Sequence, residues 1–276
     1  MEKELTHKID GMENDIATRL MAEFTKERSS FDVTPVKEFM KEVSTLLMLE
    51  YFDEVSAENI NKRIEKIRVL FLKITGCERC LKDLELFFSS LPEIRKLLNG
   101  SIEAIYLGDP ASASKEQIVY TYPGFQAILY HRVANFFARR EHPLLARSIS
   151  EIAHSNWGID IAPAATIGEN FFIDHGTGIV IGATSIIGNN VKLYQGATIG
   201  ALSLGAGRKL SGNKRHPTIE DDVTIYSNAS ILGGDTIIGK GSIIGANVYL
   251  KASVEPNSIV LLENTGIVIK KKNSSN

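Results

Sequence analysis

The stretch "FFIDHGTGIVIGATSIIGNNVKLYQGATIG", residues 171–200, repeats an aliphatic residue at six-residue intervals and places glycine after several of them. Helices repeat about every 3.6 residues and strands every two, so neither element alone produces this spacing. The pattern extends to both sides of the stretch. The repeated aliphatic positions are Ile161, Ile167, Ile173, Ile181, Ile187, Leu193, Ile199, Ile219, Ile225, Ile231, Ile238, Ile244 and Leu250.

A six-residue period predicts one side of a triangular coil, in which the aliphatic side chain points inward and a small neighbour lets the chain turn. Three sides make a coil of about 18 residues, and each coil stacks on the next. Residues 158–262 are therefore predicted to form a left-handed parallel β-helix with the shape of a triangular prism.

Three interruptions break this repeat. The spacing grows by two residues before Ile181 and by one before Ile238, and the segment "LSLGAGRKLSGNKRHP", residues 202–217, must leave the prism as a protruding loop. Interruptions on one face of a repeat often build the binding site. His175 and His216 lie at these interruptions, which makes them candidate site residues.

Residues 1–157 form a predicted all-helical domain. Apolar residues recur at helical spacing in "VKEFMKEVSTLLMLEYF", residues 36–52, and in "LKDLELFFSSLPEIRKLL", residues 81–98, while "LNGS", residues 98–101, predicts a turn. We expect this domain to serve assembly. Residues 263–276, with three consecutive lysines, are expected to be a solubilising C-terminal tail.

Composition argues against several classes of function. The net charge of -2, from 31 basic and 33 acidic side chains, provides no field that attracts nucleic acid or an anionic membrane. The N-terminus lacks an apolar signal region, and no apolar run reaches the ~18 residues of a membrane span, so a cytoplasmic protein is expected. The only cysteines, Cys77 and Cys80, lie too close together for a disulfide between them to stabilise a secreted fold. They do not form a zinc site by themselves, because zinc requires four ligands.

His175 is the strongest candidate for chemistry. A prism corner needs only a small residue there, and an imidazole with an unperturbed pKa near ~6.5 suits a general base acting on a hydroxyl group. Asp174 is adjacent, but neighbouring residues on a strand face opposite ways. Asp160 precedes His175 by 15 residues, close to one coil, so it is favoured as the carboxylate partner and Asp174 is left to face the substrate.

Several motifs together carry a family resemblance. They are "DPA" at 109–111, "GFQAILYHR" at 124–132, "IDHGTGIVIG" at 173–182 and "KRHPTI" at 214–219. Over about residues 105–250 the chain resembles the serine O-acetyltransferases, a hexapeptide-repeat family that makes O-acetylserine from L-serine and acetyl-CoA on the route to cysteine.

The resemblance implies catalytic roles for three residues. His175 would take the proton of the serine hydroxyl, Asp160 would be its dyad partner, and His216 would line the same pocket. The hydroxyl would attack the thioester directly, and backbone N–H groups near the coil corner would stabilise the oxyanion. The resemblance calls for no metal.

The resemblance also implies the binding residues. Asp109, from the helical domain, and Asp174 would hold the substrate ammonium, while Arg215 would pair with its carboxylate. Acetyl-CoA would be the co-substrate, bound along the coil edge by Thr198, Gly200, Ala201, Ser227 and Asn228. The basic loop residues could meet the CoA phosphates or simply be solvated; they are Arg208, Lys209, Lys214 and Arg215.

Assembly and regulation follow from the same resemblance. In this family the site lies between neighbouring prisms of a trimer, and two trimers pair through the N-terminal helices, so a homotrimer or a dimer of trimers is implied. L-cysteine is implied as a feedback inhibitor. The family inserts a C-terminal isoleucine into cysteine synthase, whereas this chain ends in "NSSN", so that partnership is not expected.

The chain departs from the family pattern in three places. Ala183-Thr184 replaces a frequent Glu-Thr, the 202–217 loop is longer than in the short-loop members, and "LLENTGIVIKKKNSSN" replaces a Gly-Val-Pro-Ala turn. The CoA contacts of the loop and of that turn are therefore not carried over.

Two alternatives stay open. The prism could acetylate another hydroxyl, such as that of homoserine or a sugar, or it could be a non-catalytic trimeric scaffold. A metal-dependent carbonic anhydrase built on this prism is disfavoured, because it needs three histidines and only His175 and His216 lie on the prism.

Overall fold

The computed structural model describes residues 2–23, 31–203, 205, 207 and 212–263. The chain divides into two compact units, Met1–Phe31 and Asp32–Asn276. Helix α1 (Glu2–Glu23) belongs to the first unit and exposes Met12, Ile16 and Leu20, which lie on one face because they are four residues apart. None of the described helices is long and apolar enough to cross a bilayer.

The second unit begins with a bundle of helices. These are α2 (Val36–Leu47), α3 (Leu49–Phe52), α4 (Ala57–Thr75), a 3₁₀ turn (Glu78–Cys80), α5 (Leu81–Gly108), α6 (Lys115–Thr121), α7 (Pro123–Ala138) and α8 (Pro143–Trp157). The Ser56 hydroxyl accepts the Asn59 N–H at the start of α4, and Gly76 ends that helix in the left-handed conformation. The core of the bundle contains the buried rings of Phe39, Phe71, Phe87 and Phe137.

The turn predicted at residues 98–101 is wrong, because α5 continues through it to Gly108. Gly100 lies inside the helix where the helix approaches the prism. A Cβ atom at this position would lie 2.4 Å from Oδ1 of Asn170. The glycine therefore permits close packing of a helix on the prism and does not end the helix.

The rest of the unit consists of short parallel strands. They are β1 (Asp160–Ile161), β2 (Thr166–Ile167), β3 (Phe172–Asp174), β4 (Val180–Ile181), β5 (Ile186–Ile187), β6 (Lys192–Tyr194), β7 (Thr198–Gly200), β8 (Thr218–Ile219), β9 (Thr224–Ile225), β10 (Ser230–Leu232), β11 (Ile237–Ile238), β12 (Ile243–Ile244), β13 (Tyr249–Leu250) and β14 (Ile259–Val260).

These strands build the three walls of a prism of about five turns, which confirms the predicted β-helix. Sheet A has the order β1-β4-β7-β10-β13, sheet B β2-β5-β8-β11, and sheet C β3-β6-β9-β12-β14. Asp160 pairs with Val180, and Val180 with Thr198, so the first coil contains 20 residues and the second 18. All the repeated aliphatic side chains point inward and are buried except Leu250, which is half-buried in the last complete coil.

Helices α7 and α8 cover the first coil. The buried guanidinium of Arg132 donates to the carbonyls of Ile167 and Gly168, and the Asn135 amide donates to the carbonyls of Pro163 and Ala165. These contacts satisfy backbone groups at the open end of the solenoid, as terminal caps do in repeat proteins.

The change from helix to strand lies at Gly158, where the sequence predicts it. By their contacts, however, the helices from α2 onward and the prism form one compact unit. The assignment of residues 1–157, 158–262 and 263–276 to separate domains stays a prediction. Residues 264–276, with the three lysines, lie outside the described residues.

Candidate active site

His175 lies at the corner between β3 and β4, residues 175–179, which we call corner 1. Its backbone is left-handed, with φ +53°, and Gly176 follows with φ +90°. A Cβ atom on Gly176 would lie 2.5 Å from Cδ1 of Ile159, so this tight corner needs glycine. The imidazole points outward and is 72% exposed, with Nε2 3.8 Å from Oδ1 of Asp174.

The predicted pair of Asp160 and His175 is not hydrogen-bonded in this structure. Asp160 lies on β1, directly beside Val180, five residues beyond His175, and its carboxylate is 3.5 Å from the Arg147 guanidinium. The first coil is two residues longer than a regular one, which displaces the stacking that the sequence spacing suggests. The role of Asp160 stays a prediction.

Asp109 and Asp174 each lie beside a tyrosine: Asp109 contacts Tyr122, and Asp174 on β3 pairs with Tyr194 on β6. Asp109 ends helix α5; its Oδ1 accepts the Ala111 N–H at 2.8 Å, and its Oδ2 accepts the Tyr122 hydroxyl proton at 2.6 Å. Burial and the hydrogen bond to Asp109 raise the pKa of Tyr122 to about 12, and the charge of Asp174 contributes. Burial raises the pKa of Tyr194, and both aspartates act on it in the same direction.

This arrangement, which we call the acidic cluster, contains Asp109, Tyr122, Asp174 and Tyr194. The end of helix α5 packs on strand β3, since a Cβ atom on Gly108 would lie 3.0 Å from the Phe172 ring, so Asp109 and Asp174 come close although they are 65 positions apart in the chain. Two carboxylates beside phenolic groups can hold a substrate ammonium group. The sequence interpretation included both aspartates but missed both tyrosines.

The turn between β4 and β5, residues 182–185, is called corner 2. Arg215 and His216, at the end of the 202–217 loop, pack against it, and their backbone N–H groups donate to the Thr184 hydroxyl. His216 is 7% exposed, and its Nδ1 lies 2.8 Å from the Thr184 hydroxyl. Burial lowers the pKa of His216 to about 4, and the positive charges of Arg215 and Lys214 contribute. Nη1 of Arg215 donates to the Asn213 carbonyl at 3.4 Å, and Nζ of Lys214 donates to the Thr184 carbonyl at 2.9 Å.

Corners 1 and 2 lie at opposite edges of sheet A, because strand β4 connects them. One side of the prism spans five or six residues at about 3.3 Å each, so the corners are roughly 15 to 20 Å apart. The structure thus places His175 with the acidic cluster and Arg215 with His216, but one chain does not bring the two groups together.

The predicted acetyl-CoA residues occupy the same two edges. Ser227 and Asn228 lie at the corner after β9, on the edge of His175, and Asn228 has the left-handed φ of +58°. Thr198 and Gly200 lie on β7 of sheet A, and Ala201 follows it on the edge of His216. Their role in binding stays a prediction.

A cavity of about 250 Å³ opens beside corner 2. Its lining includes Lys214, Arg215 and Lys251 with one acid, Asp235, so positive charge predominates. Arg208 and Lys209, which the sequence suggests for the CoA phosphates, lie outside the described residues. In the part of the chain that the structure describes, no three His, Cys, Asp or Glu residues are grouped to hold a metal ion.

Comparison with known proteins identifies relatives across most of the chain. No family model matches. The chain is 49% identical over 177 residues to "Serine acetyltransferase, plasmid" of Synechococcus elongatus, which covers 63% of this chain and 55% of the relative. It is 45% identical over 165 residues to the serine acetyltransferase of Bacillus pumilus, with coverage of 60% and 73%. The match to the first relative thus spans little more than half of that protein's length.

Solved structures resemble the whole architecture. Serine acetyltransferase isoform 3 of Entamoeba histolytica, in complex with cysteine, has a TM-score of 0.75 and 32% identity, and the match covers 91% of this chain and 88% of that one. The Neisseria gonorrhoeae serine acetyltransferase, in complex with serine, has a TM-score of 0.62 and 27% identity, with coverage of 94% and 92%. The fold and these relatives together show that the chain belongs to the serine acetyltransferase family.

Proposed function

We propose that the chain transfers the acetyl group of acetyl-CoA to the hydroxyl of L-serine, giving O-acetyl-L-serine and CoA, as the first step of cysteine biosynthesis. The observation that carries the choice of acceptor is the acidic cluster beside His175. Its two carboxylates suit an ammonium group, and an adjacent exposed imidazole suits a hydroxyl. A sugar acceptor has no ammonium group to occupy the cluster.

In the proposed mechanism His175 is the general base. Its imidazole accepts the serine hydroxyl proton as the serine oxygen bonds to the acetyl carbon, and backbone N–H groups at the coil corner stabilise the oxyanion. The carbon–sulfur bond then breaks, and the imidazolium returns the proton to the CoA thiolate. The 72% exposure of the side chain supports this role, because the base must be reachable.

Asp160 remains our proposed partner for this imidazole. Its contact with Arg147 is a 3.5 Å ion pair in which the arginine side chain is 49% exposed. Ion pairs of this kind contribute little free energy, about 0 to 1 kcal/mol, so the carboxylate can exchange partners at low cost.

We propose that two neighbouring prisms form each site. The acidic cluster with His175 would come from one chain, and Arg215 with His216 from corner 2 of the next, so that ammonium, hydroxyl and carboxylate are all contacted. Exposed apolar side chains on the outer face of sheet A support such packing: Val180 is 40% exposed and Tyr249 is 59% exposed. When two different faces of the prism pair head to tail, three prisms can close into a ring in which every such face has a partner. Pairing of two such trimers through the N-terminal helices is part of the proposal.

Acetyl-CoA would lie along the edge of the prism. The basic cavity at corner 2 suits an anionic group, since Lys214, Arg215 and Lys251 surround one aspartate there. Thr198, Gly200, Ala201, Ser227 and Asn228 are the proposed contacts along the two edges of sheet A. We place the enzyme in the cytoplasm.

L-cysteine is the proposed feedback inhibitor. It differs from L-serine only in its thiol, so the same ammonium and carboxylate contacts suit it. The E. histolytica relative is described in complex with cysteine, and the N. gonorrhoeae relative in complex with serine.

The test is the release of free CoA from acetyl-CoA by the full chain, detected with a thiol reagent. L-serine, L-homoserine and a β-galactoside are offered separately as acceptors. The proposal predicts release with L-serine, with a KM that rises at least tenfold in Asp109→Asn because one ammonium contact is lost. Release with another acceptor would overturn the serine assignment. Release with no acceptor would favour a scaffold.

A further inference from the structure

Thr184 makes more contacts at corner 2 than a turn residue requires. Its hydroxyl oxygen accepts the backbone N–H of Arg215 at 2.9 Å and that of His216 at 3.1 Å. A hydroxyl group has two acceptor lone pairs and one proton to donate. Both lone pairs are therefore used, and the proton is left for Nδ1 of His216, which lies 2.8 Å away.

The main chain of Thr184 sets the role of the same ring nitrogen. The Thr184 N–H donates to Nδ1 of His216 at 3.1 Å, so Nδ1 must present its lone pair. A neutral imidazole with an accepting Nδ1 carries its proton on Nε2. Two contacts from one residue thus select one tautomer of His216.

The environment keeps this ring neutral. The side chain is buried, and burial together with the charges of Arg215 and Lys214 lowers the pKa of His216 to about 4. Asp235 is the acid that lines the adjoining cavity. At neutral pH the ring therefore has a proton on Nε2 to donate, and its one lone pair, on Nδ1, is already occupied by the contacts from Thr184.

Gly182 defines where Nε2 lies. A Cβ atom on Gly182 would be 2.1 Å from Nε2 and 2.0 Å from Cδ2 of His216. The ring therefore rests directly against the end of strand β4, in the space that a side chain would fill. Nε2 is thereby held against Gly182, at the edge of sheet A where strand β4 ends.

The prism does not need a hydroxyl at this position to turn. Ile161 pairs with Ile181, and Thr166 with Ile186, so Ala164 occupies in the first coil the place that Thr184 takes in the second. That corner forms with a methyl side chain. The hydroxyl of Thr184 is thus used to hold the returning loop and the ring of His216.

We propose that Thr184 is a positioning residue that holds His216 as a neutral Nε2–H donor aimed at the substrate carboxylate, beside Arg215. This inference rests on the proposed function, which supplies the substrate carboxylate that accepts the hydrogen bond. It gives His216 a binding role and leaves proton abstraction to His175.

The direct test is the tautomer of His216 in the full-length protein. With histidine labelled with ¹⁵N, a long-range ¹H–¹⁵N correlation spectrum at pH 7 should show an unprotonated Nδ1 and a protonated Nε2. His216→Gln assigns the signals. A protonated Nδ1 in the wild-type protein would overturn the proposal whether or not the protein acetylates serine.

Two variants separate positioning from packing. Thr184→Val has nearly the shape of threonine but no hydroxyl. Its backbone N–H still selects the tautomer, but the N–H groups of Arg215 and His216 lose their acceptor, so the KM for L-serine should rise about tenfold, with kcat changed less than threefold. Thr184→Ser keeps the hydroxyl and should restore the KM. The proposal fails if Val retains the wild-type KM, or if Ser behaves like Val.

The two proposals fail in different ways. A wild-type protein with the expected tautomer that shows no serine-dependent CoA release contradicts the proposed function and leaves the role of Thr184 in setting the tautomer intact. Normal serine turnover with the opposite tautomer contradicts the positioning role alone.

Discussion

The phenolic oxygen of Tyr122 lies 2.6 Å from a carboxylate oxygen of Asp109, and this contact joins the start of helix α7 to the end of helix α5. The second oxygen of Asp109 accepts the Ala111 N–H, which closes the turn of the "DPA" motif. The carboxylate is therefore held in place before any substrate arrives, and this reduces the ordering cost of binding.

Removal of the Tyr122 hydroxyl should weaken serine binding. In Tyr122→Phe the Asp109 carboxylate loses one of its two donors, and we expect the KM for L-serine to rise about 5- to 10-fold, since a hydrogen bond to a charged group contributes about 1.5 kcal/mol or more. The KM for acetyl-CoA should not change. Steady-state kinetics with each substrate varied in turn provides the measurement.

Tyr120→Phe is the matched control. Tyr120 is 50% exposed, and its hydroxyl donates to the carbonyl of Tyr51, which is not a residue of the acidic cluster. Equal changes in the two variants, or an equal change in both KM values of Tyr122→Phe, would contradict a role for Tyr122 in the serine site.

A site shared between chains makes a prediction about mixed oligomers. His175→Ala and Arg215→Ala should each be nearly inactive, yet chains that are denatured and refolded together should regain up to about a quarter of the wild-type rate, because one site in four then combines two intact edges. Each variant refolded alone provides the baseline. Activity of the mixture no higher than that baseline would place the whole site within one chain.

The lowered pKa of His216 predicts how stability depends on pH. The folded-state pKa is about 4, below the ordinary 6.5. Between these values the unfolded chain binds a proton that the folded chain does not, so stability falls as the pH falls from 6.5 to 4. The contribution of one buried histidine amounts to about 2 to 3 kcal/mol.

Urea unfolding at pH 7 and pH 4.5 measures this contribution. The loss of stability between the two pH values should be smaller in His216→Gln than in the wild type. His131, whose pKa burial lowers to about 3, is present in both proteins, so its effect cancels in the comparison. Equal losses in the two proteins would show that His216 is not held neutral.

The sequence predicts the prism well because its information is local. Each hexad specifies one wall, and the inward positions from Ile161 to Ile244 are buried as expected; only Leu250, near the end of the solenoid, is half-buried. The helical half depends more on distant contacts. Gly100 resembles a turn residue in sequence, but it lies inside α5 because Asn170, 70 residues later, needs the space.

The candidate site was predictable only in part. Acidic residues and histidines in unusual places, such as Asp109 and His175, attract attention in the sequence. Tyr122 and Thr184 do not, because a hydroxyl acquires its role from the partner that folding brings to it. Asp160 and His175 show the opposite case. They are about one regular coil apart in the sequence, which suggested a hydrogen bond between them. The first coil contains 20 residues, however, and the two side chains are not hydrogen-bonded.

The measurement that tests the central claim most directly is serine-dependent CoA release by the wild type, by His175→Ala and by His154→Ala. His154 is an exposed histidine of helix α8 whose ring lies 3.3 Å from the Glu151 carboxylate, so its variant controls for the loss of an imidazole. We predict a rate lower by about 10²-fold or more in His175→Ala and an unchanged rate in His154→Ala. A rate in His175→Ala within a few-fold of the wild type would contradict the proposal that this histidine removes the serine proton.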